Sequence, residues 1–226
     1  PAFWGQFGEK VTPGQIKAAM KQLGFEGLEE VAVGADLCAV EEAEEFMEHV
    51  PARQPYMATS CCPAWSVMAK KEFPGFAPYI SMTMTPMVLT ARLQKRKHPD
   101  CKIAFIGPCA AKKLEASRRT VRSEVIQTKN PDREVKTVYA EGLRACRQML
   151  RVARSGKYDG YLLEGMACPG GCIAGAGTVQ PPEKSRRMLE QYKARAALDN
   201  PLDSEYMEDI ELLYEDPENW DRVSRH

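Results

Sequence analysis

The stretch YLLEGMACPGGCIAGAG, residues 161–177, joins an apolar segment to a loop that holds two cysteines among glycines. The apolar residues predict a strand at Tyr158–Leu163, and the loop that follows carries Cys168 and Cys172. Glycine lets the backbone approach a bulky ligand closely and leaves its amides free for the ligand's sulfur atoms. The pattern therefore favours a ligand-binding loop over a glycine-rich turn with incidental cysteines.

Two more segments have the same plan, an apolar run that ends in cysteine. They are YMATSCCPAW, which carries the adjacent Cys61 and Cys62, and IAFIGPCAAKK, which carries Cys109. Strand ends that meet at the carboxyl edge of one open α/β sheet form the usual place for a ligand. Where such a turn leads into a helix, the helix N-terminus favours the thiolate, and thiolates bind soft metals.

The spacing of these cysteines bears on the kind of metal site. One zinc ion held by four cysteines is an alternative, but structural zinc sites usually draw their ligands as two close pairs. Here the candidates are dispersed from Cys62 to Cys172, which suits a larger iron–sulfur cluster reached from several loops. The remaining cysteines, Cys38, Cys101 and Cys146, are expected to be buried structural thiols.

Composition narrows the class of protein. The 226 residues are 44% apolar and 27% charged, with 31 basic and 31 acidic side chains, which is typical of a globular domain with no nucleic-acid partner. No apolar run is long enough for a membrane span and no signal peptide is visible, so a cytoplasmic protein is expected. Because the chain begins at Pro1 without methionine, a processed piece or a removed leader stays open.

The periodicity along the chain alternates between helix and strand, which predicts an α/β fold of sheet covered by helices. Strands are predicted at Val31–Ala35, Pro55–Thr59, Lys102–Ile106, Val135–Tyr139 and Tyr158–Leu163. Helices are predicted after the Thr12 cap and at Ala39–Val50, Pro63–Glu72, Thr85–Lys97, Glu141–Ser155 and Pro182–Ala197.

The segments TSCCPAW, GPCAAKKLEA and EGMACPGGCIAGAGT occur in the order of the three signature segments of the FeFe hydrogenase catalytic domain. The chain resembles that domain over residues 1 to about 190. The resemblance implies two lobes of mainly parallel twisted sheet flanked by helices, with a cluster site in the cleft between them. It assigns residues 1–198 to the catalytic domain and residues 199–226 to a helical or surface-wrapping tail.

The resemblance also implies the cofactors. Cys62, Cys109, Cys168 and Cys172 would hold a 4Fe-4S cluster, and the Cys172 thiolate would bridge it to a two-iron subcluster. That subcluster, which is expected only after maturation, carries carbonyl, cyanide and a bridging dithiolate. Cys61 would bind no iron and would transfer protons, because a thiol beside an anionic cluster keeps its proton near neutral pH.

Further cofactor contacts follow from the same resemblance. Lys112 would donate to a cyanide ligand, whereas an isolated lysine would be interpreted as a surface residue. Met166 resembles a packing residue near the bridging ligand, although methionine is more often plain core. Pro1 and Ala2 resemble the segment that closes over the cluster, and Pro108 of the GPC turn is grouped with them.

A proton relay is expected in the order Cys61, Glu41, Ser81, Glu44. Both glutamates match positions of the family relay, and Ser81 matches its hydroxyl. They belong to a set of four glutamates at helical spacing, for which a solvated acidic face is the simpler interpretation.

The chain also departs from the family pattern. Gly107 and Met87 replace a methionine and a glutamine, and Ala176 and Thr178 alter the glycine-rich ending, which indicates a divergent subgroup with altered contacts around the cluster.

The interval between Cys109 and Cys168 is shorter than in the family. The explanation is either a true deletion or a stretch left out of this sequence near Val125 and Ile126, between lobes at about 1–125 and 126–198, and the second is favoured.

The expected activity is the reversible oxidation of dihydrogen to protons and electrons. A hydrogen sensor of low turnover and a non-catalytic iron–sulfur assembly protein are the alternatives. Since no further CxxCxxC signature is present, electrons would pass through a ferredoxin-like partner or through upstream Fe-S domains, and maturation proteins would load the site.

Overall fold

The computed structural model describes residues 2–8, 10–116, 136–198 and 201–208. The α-helices are α1 (Pro13–Gln22), α2 (Val31–His49), α3 (Pro63–Glu72), α4 (Pro86–Lys97), α5 (Ala110–Ala116), α6 (Leu143–Ala153) and α7 (Pro182–Lys193). The strands are β1 (Met57–Ala58), β2 (Lys136–Glu141) and β3 (Tyr161–Met166). Short 3-10 helices lie at Trp4–Gln6, Pro74–Tyr79, Gly171–Ala174, Pro201–Asp203 and Glu205–Met207.

The three strands form one parallel sheet in the order β1-β3-β2. Ala58 pairs with Leu163, and Val138 of β2 pairs with the same residue from the other side. The predicted combination of helices and parallel sheet is therefore confirmed. The sheet takes strands from both predicted lobe ranges, and the proposed boundary near Val125 and Ile126 lies outside the described residues.

Alternate residues of the strands face two different helix layers, as the period of a strand requires. On one face, Ala58 and Leu163 pack with buried side chains of α3 and α6. On the other face, Met57 and Leu162 pack against Phe46 of α2. The carboxyl end of the sheet therefore lies between α2 and the pair α3 and α6.

Capping residues explain why the first helix begins where the sequence predicts. The Thr12 hydroxyl accepts a bond from the Gln15 amide at 3.2 Å, and the Gln15 side chain accepts one from the Thr12 amide at 2.8 Å. Pro13 occupies the first helical position, and Gly24 at φ +93° follows the end of the helix.

The strand predicted at Val31–Ala35 is wrong, because these residues form the first turns of α2. The Gly34 amide donates to Thr90 Oγ1 of α4 at 3.1 Å, and a Cβ atom on Gly34 would lie only 2.2 Å from the Pro86 carbonyl oxygen. The apolar residues of Val31–Ala35 are therefore explained by the packing of α2 on α4, where Val33 is buried. Cys38, expected to be a buried structural thiol, is buried inside α2.

The segment Lys102–Ile106 also differs from its prediction as a strand. It is not part of the sheet, and Ile103 and Ile106 are 44% and 41% exposed. Cys101, expected to be a buried thiol, is only half-buried after α4, and its sulfur lies 3.8 Å from the Gln94 carbonyl oxygen.

Little of the predicted tail is described. Residues 201–208 contain two 3-10 helices, and Tyr206 and Met207 pack against the core shared by α2 and α4. The prediction for residues 209–226 lies outside the described part of the chain. Within the described ranges, no helix combines the length and the apolar character needed to cross a bilayer.

Candidate functional site

Two cysteine-bearing loops leave the sheet side by side. The loop after β1 carries Cys61 and Cys62, and the loop after β3 carries Cys168 and Cys172. Because β1 and β3 are parallel neighbours, the two loops begin at the same edge of the sheet. Pro63 then starts α3 directly after Cys62, since proline suits the first helical position.

Trp65 fixes the spacing between these two loops. Its side chain is fully buried, and its indole nitrogen donates to the Thr59 carbonyl oxygen at 3.1 Å. The ring lies against Gly165 of β3, where a Cβ atom would come within 2.2 Å of the indole. Glycine at this position therefore lets α3 pack directly on the strand that leads to Cys168.

The third loop is joined to the glycine-rich segment by backbone contacts. The Gly177 amide donates to the Pro108 carbonyl oxygen at 2.9 Å. A Cβ atom on Gly177 would lie 3.0 Å from the Pro108 Cα atom, so the two backbones touch. This contact brings Cys109, the residue after Pro108, beside the loop that carries Cys172.

The four predicted cluster cysteines influence one another electrostatically. Desolvation raises the pKa of the Cys168 thiol, and Cys62 and Cys109 raise it further. The pKa of Cys172 is raised by desolvation, opposed by the positive charge of Lys112, and raised again by Cys62, Cys109 and Cys168. Such mutual effects need short distances, so the three loops bring these sulfurs into one region.

The thiols are not arranged around a point. Across the described ranges, no three His, Cys, Asp or Glu side chains form a group that could hold one metal ion. All eight cysteines are free.

Lys112 and Cys61 meet at the centre of this region. Lys112 Nζ donates to the Cys61 carbonyl oxygen at 3.1 Å. Burial raises the pKa of the Cys61 thiol to about 12, the Glu42 carboxylate raises it as well, and Lys112 opposes the shift. Cys61 therefore keeps its proton at neutral pH in a setting that also contains a fixed positive charge.

The contacts predicted for Glu41 and Glu44 are made by Glu42 and Glu45 instead. Ser81 donates to Glu45 Oε2 at 2.5 Å. Glu42 Oε1 accepts the Ser60 amide at 3.0 Å, and Glu42 is also the carboxylate with the larger effect on Cys61.

Each residue along α2 is rotated by about 100° from the one before, which explains why Glu42 and Glu45 make these contacts. Glu42 lies four residues from Cys38 and four from Phe46, both buried, so it shares their face. This spacing was present in the sequence and could have located the buried glutamate.

Burial also changes the acidity of Glu42. Its pKa is raised to about 7, because desolvation outweighs the bond from the Ser60 amide. Glu41 is half-buried on the same helix and contributes charge near Cys38.

The other predicted contacts lie in the N-terminal segment and at the end of β3. Ala2 lies at the entry to the first 3-10 helix, where its carbonyl oxygen accepts a bond from Gln6 Nε2 at 3.2 Å. Gln6 Oε1 accepts the amide of Val179 at 2.7 Å, so the N-terminal segment is tied to the end of the glycine-rich loop. Met166 ends β3 and is half-buried, while Pro1 lies outside the described residues.

A comparison with protein families now identifies the chain. The family described as iron-only hydrogenase large subunit, C-terminal domain, matches residues 1–129 and 119–176. The chain belongs to this hydrogenase family. The match covers every cysteine-bearing loop of the site.

Curated relatives of this hydrogenase-family chain include enzymes and assembly factors. Iron hydrogenase 1 of Clostridium pasteurianum is 35% identical over 121 residues, which is 50% of the chain and 21% of that relative. A probable cytosolic Fe-S cluster assembly factor of Nematostella vectensis is 30% identical over 142 residues, 56% of the chain and 32% of the relative. The chain thus matches about a fifth to a third of the length of these proteins.

Solved structures show the same fold. An FeFe-hydrogenase from a study of stepwise H-cluster assembly aligns with a TM-score of 0.73 at 18% identity, covering 91% of the chain and 84% of that structure. FeFe-hydrogenase HydA1 of Chlamydomonas reinhardtii aligns equally well, with a TM-score of 0.73 at 17% identity and the same coverage. At these identities the likeness establishes the fold of the hydrogenase domain.

Proposed function

We propose that this chain is the H-cluster domain of a hydrogenase that oxidises dihydrogen reversibly to protons and electrons. The observation that carries the proposal is the grouping of Cys61, Lys112 and Glu42. A protonated thiol, a cation and a buried carboxylate converge beside four further cysteines.

The donor set fits an iron–sulfur cluster. Four thiols from three loops supply the four-cysteine ligation that a 4Fe-4S cluster uses, and they are Cys62, Cys109, Cys168 and Cys172. A single zinc ion needs its ligands around one point at about 2.3 Å from each sulfur, whereas a cage of several irons takes each sulfur on a different iron. We therefore assign these four residues as the cluster ligands.

A two-iron subcluster with carbonyl, cyanide and a bridging dithiolate would supply the chemistry that activates dihydrogen at this site. Lys112 would orient it through a charge-assisted hydrogen bond to a cyanide nitrogen. Pro108 and Gly177 would hold the loop of Cys109 against the glycine-rich segment, which excludes water from the ligands. Ala2 and Met166 remain proposed packing contacts.

The protein's own residues would then move the proton. Cys61 carries it at its thiol, and Glu42, whose pKa of about 7 is suited to exchange near neutral pH, lies next along the path. Ser81 and Glu45 follow, joined by their 2.5 Å hydrogen bond. The proposed order is therefore Cys61, Glu42, Ser81, Glu45.

An iron–sulfur assembly role is the second candidate, because assembly factors such as the one from Nematostella vectensis are among the relatives. Such a role requires the four cluster cysteines but gives no part to a free thiol beside a lysine. A hydrogen sensor would use the same site at low turnover.

One experiment separates these functions. The chain is expressed with hydrogenase maturation proteins, and infrared spectra are recorded under hydrogen. Carbonyl and cyanide bands are expected, together with reduction of a redox dye by hydrogen. Bands without turnover would indicate the sensor, and iron–sulfur absorption without bands would indicate the assembly protein.

A matched pair of variants sharpens the result. Cys61→Ser should abolish turnover while the bands persist, whereas Cys101→Ser, outside the site, should leave both unchanged. Delivery of electrons to a ferredoxin-like partner in the cytoplasm completes the proposal.

A further inference from the structure

A row of polar side chains crosses the sheet at its carboxyl end. In the register of β2 and β3, Tyr139 lies opposite Glu164. The register of β1 and β3 pairs Ala58 with Leu163, and the bond from the Thr59 amide to the Leu163 carbonyl oxygen at 3.0 Å continues it by one residue. Thr59, Glu164 and Tyr139 are therefore neighbours on one face, about 4.8 Å apart from strand to strand.

This face is the one that α2 covers. Met57 and Leu162 precede Thr59 and Glu164 by two residues, and both pack against Phe46 of α2. One helical turn before Phe46, α2 places Glu42 above the row.

The inner end of the row contains an unsatisfied group. Thr59 is only 2% exposed, and its hydroxyl oxygen has no hydrogen-bond partner in the described structure. Leaving a buried hydroxyl without a partner has an uncompensated desolvation cost, so such a group in a native structure calls for an explanation. Since Ser60 and Cys61 follow directly, this hydroxyl lies at the start of the loop that carries Cys61.

The outer end of the row reaches solvent. Tyr139 is 51% exposed, and its hydroxyl donates a short hydrogen bond to Glu141. Glu141 in turn accepts the Gly170 amide at 2.9 Å, which holds its carboxylate in place.

Glu164 is coupled to both ends of the row. Its charge contributes to the raised pKa of Glu42 and of Cys61 on the inner side, after burial and nearer groups. It also contributes to the raised pKa of Tyr139 on the outer side, after burial and the bond to Glu141.

The other charged groups around this face come from neighbouring elements. Glu42 faces Glu164 from α2, Lys112 of α5 lies at Cys61, and Arg186 of α7 acts on Tyr139 and Glu141.

We propose that Thr59, Glu164 and Tyr139 form a second proton route, which leads across the sheet from the Cys61 side of the site to solvent at β2. The route rests on the proposed hydrogenase function and is separate from the Ser81 and Glu45 side.

Each step of this route conserves protons. The Thr59 hydroxyl, which has no hydrogen-bond partner among the described residues, must first rotate toward Glu164; it then passes a proton to the Glu164 carboxylate as it receives one from the site. Protonated Glu164 gives its proton to the Tyr139 oxygen while the Tyr139 hydroxyl proton moves to Glu141. Glu141 then releases the proton to water, and no oxidant or other reactant is required.

The first test measures the electrostatic effect of Glu164 on Tyr139 and does not depend on hydrogen turnover. Tyrosine labelled with carbon-13 at Cζ is titrated by NMR in the full chain, and the Tyr139 signal is assigned with Tyr139→Phe. The Glu164→Gln variant should lower the pKa of Tyr139 from about 12, because a neighbouring negative charge is removed. Glu183→Gln, on the exposed side of α7, should leave the signal unchanged. An unaltered Tyr139 titration in Glu164→Gln would overturn the proposal that Glu164 and Tyr139 are consecutive members of one proton route.

The second test measures hydrogen oxidation in the matured protein. Ser81→Ala blocks the first relay, and Glu164→Gln in that background should remove at least about tenfold of the remaining rate, as expected for a positioned proton carrier. Glu164→Gln alone should reduce the rate less than about threefold, because the first relay still operates. Tyr139→Phe, at a position that is 51% exposed, should reproduce the loss in the Ser81→Ala background.

The outcomes separate the two proposals. Active parent protein with no further loss in the double variants would overturn the second route alone. A parent that shows neither carbonyl and cyanide bands nor turnover would overturn the hydrogenase function and the route with it.

Discussion

The buried carboxylate Glu42 should make the protein less stable as the pH rises. Its pKa is raised from 4.5 in the unfolded chain to about 7 in the native state, and burial is the main cause. Below about pH 4.5 both states hold the proton and the shift has no effect. Between about pH 4.5 and 7 only the native state holds it, so the free energy of unfolding falls with rising pH.

The size of this effect follows from the shift. A difference of one pKa unit corresponds to about 1.4 kcal/mol, so a shift from 4.5 to about 7 amounts to about 3 kcal/mol at pH values above both. Glu42→Gln removes the titrating group but keeps an oxygen that can accept the Ser60 amide. As the pH rises from about 4 to 8, the free energy of unfolding of the variant should therefore increase by about 3 kcal/mol relative to that of the native protein.

Urea unfolding followed by tryptophan fluorescence, on protein prepared without iron, measures this difference at each pH. Glu42→Leu is the matched variant. It should show the same change with pH as Glu42→Gln, with a different constant offset because it cannot accept the Ser60 bond. Parallel stability curves for the native protein and both variants would refute a raised pKa at Glu42.

Three further predictions concern the scaffold and the ligands. Gly165→Ala should lower the free energy of unfolding by at least about 3 kcal/mol, since its Cβ atom meets the indole ring at 2.2 Å. Gly75→Ala, where a Cβ atom meets open space, should leave it unchanged, and urea unfolding measures both variants. Thr12→Ala should cost about 1 kcal/mol through the lost cap of α1, which the same assay measures, and an unchanged midpoint would contradict the capping role. After reconstitution with iron and sulfide, Cys109→Ser should bind less iron than Cys101→Ser, and equal iron contents would exclude Cys109 as a ligand.

The sequence predicted the elements whose boundaries are marked by strong local signals. The helix Pro63–Glu72 has the expected bounds, because proline after Cys62 defines its start. The cysteine loops after β1 and β3 were located because each apolar run ends abruptly in a turn. Such signals are local, so they are present in one sequence without any tertiary information.

Features that depend on tertiary packing were predicted less well. Val31–Ala35 has the composition of a strand but is helical, since its apolar side and Gly34 pack on α4. The glutamates of α2 are so closely spaced that the sequence offers several registers, and the four-residue spacing of Glu42 from Cys38 and Phe46 selects the right one only if those two residues are taken as buried. The parallel pairing of β1 with β3 is likewise a long-range contact.

The contact of Trp65 with Gly165 limits which substitutions evolution can accept at these two positions. One indole sets the separation of two ligand loops, so neither residue can be exchanged freely while the other stays as it is. A smaller aromatic ring at position 65 would leave room for a methyl group at position 165, and the two substitutions should compensate each other. Natural variation at one of these positions should therefore be accompanied by variation at the other.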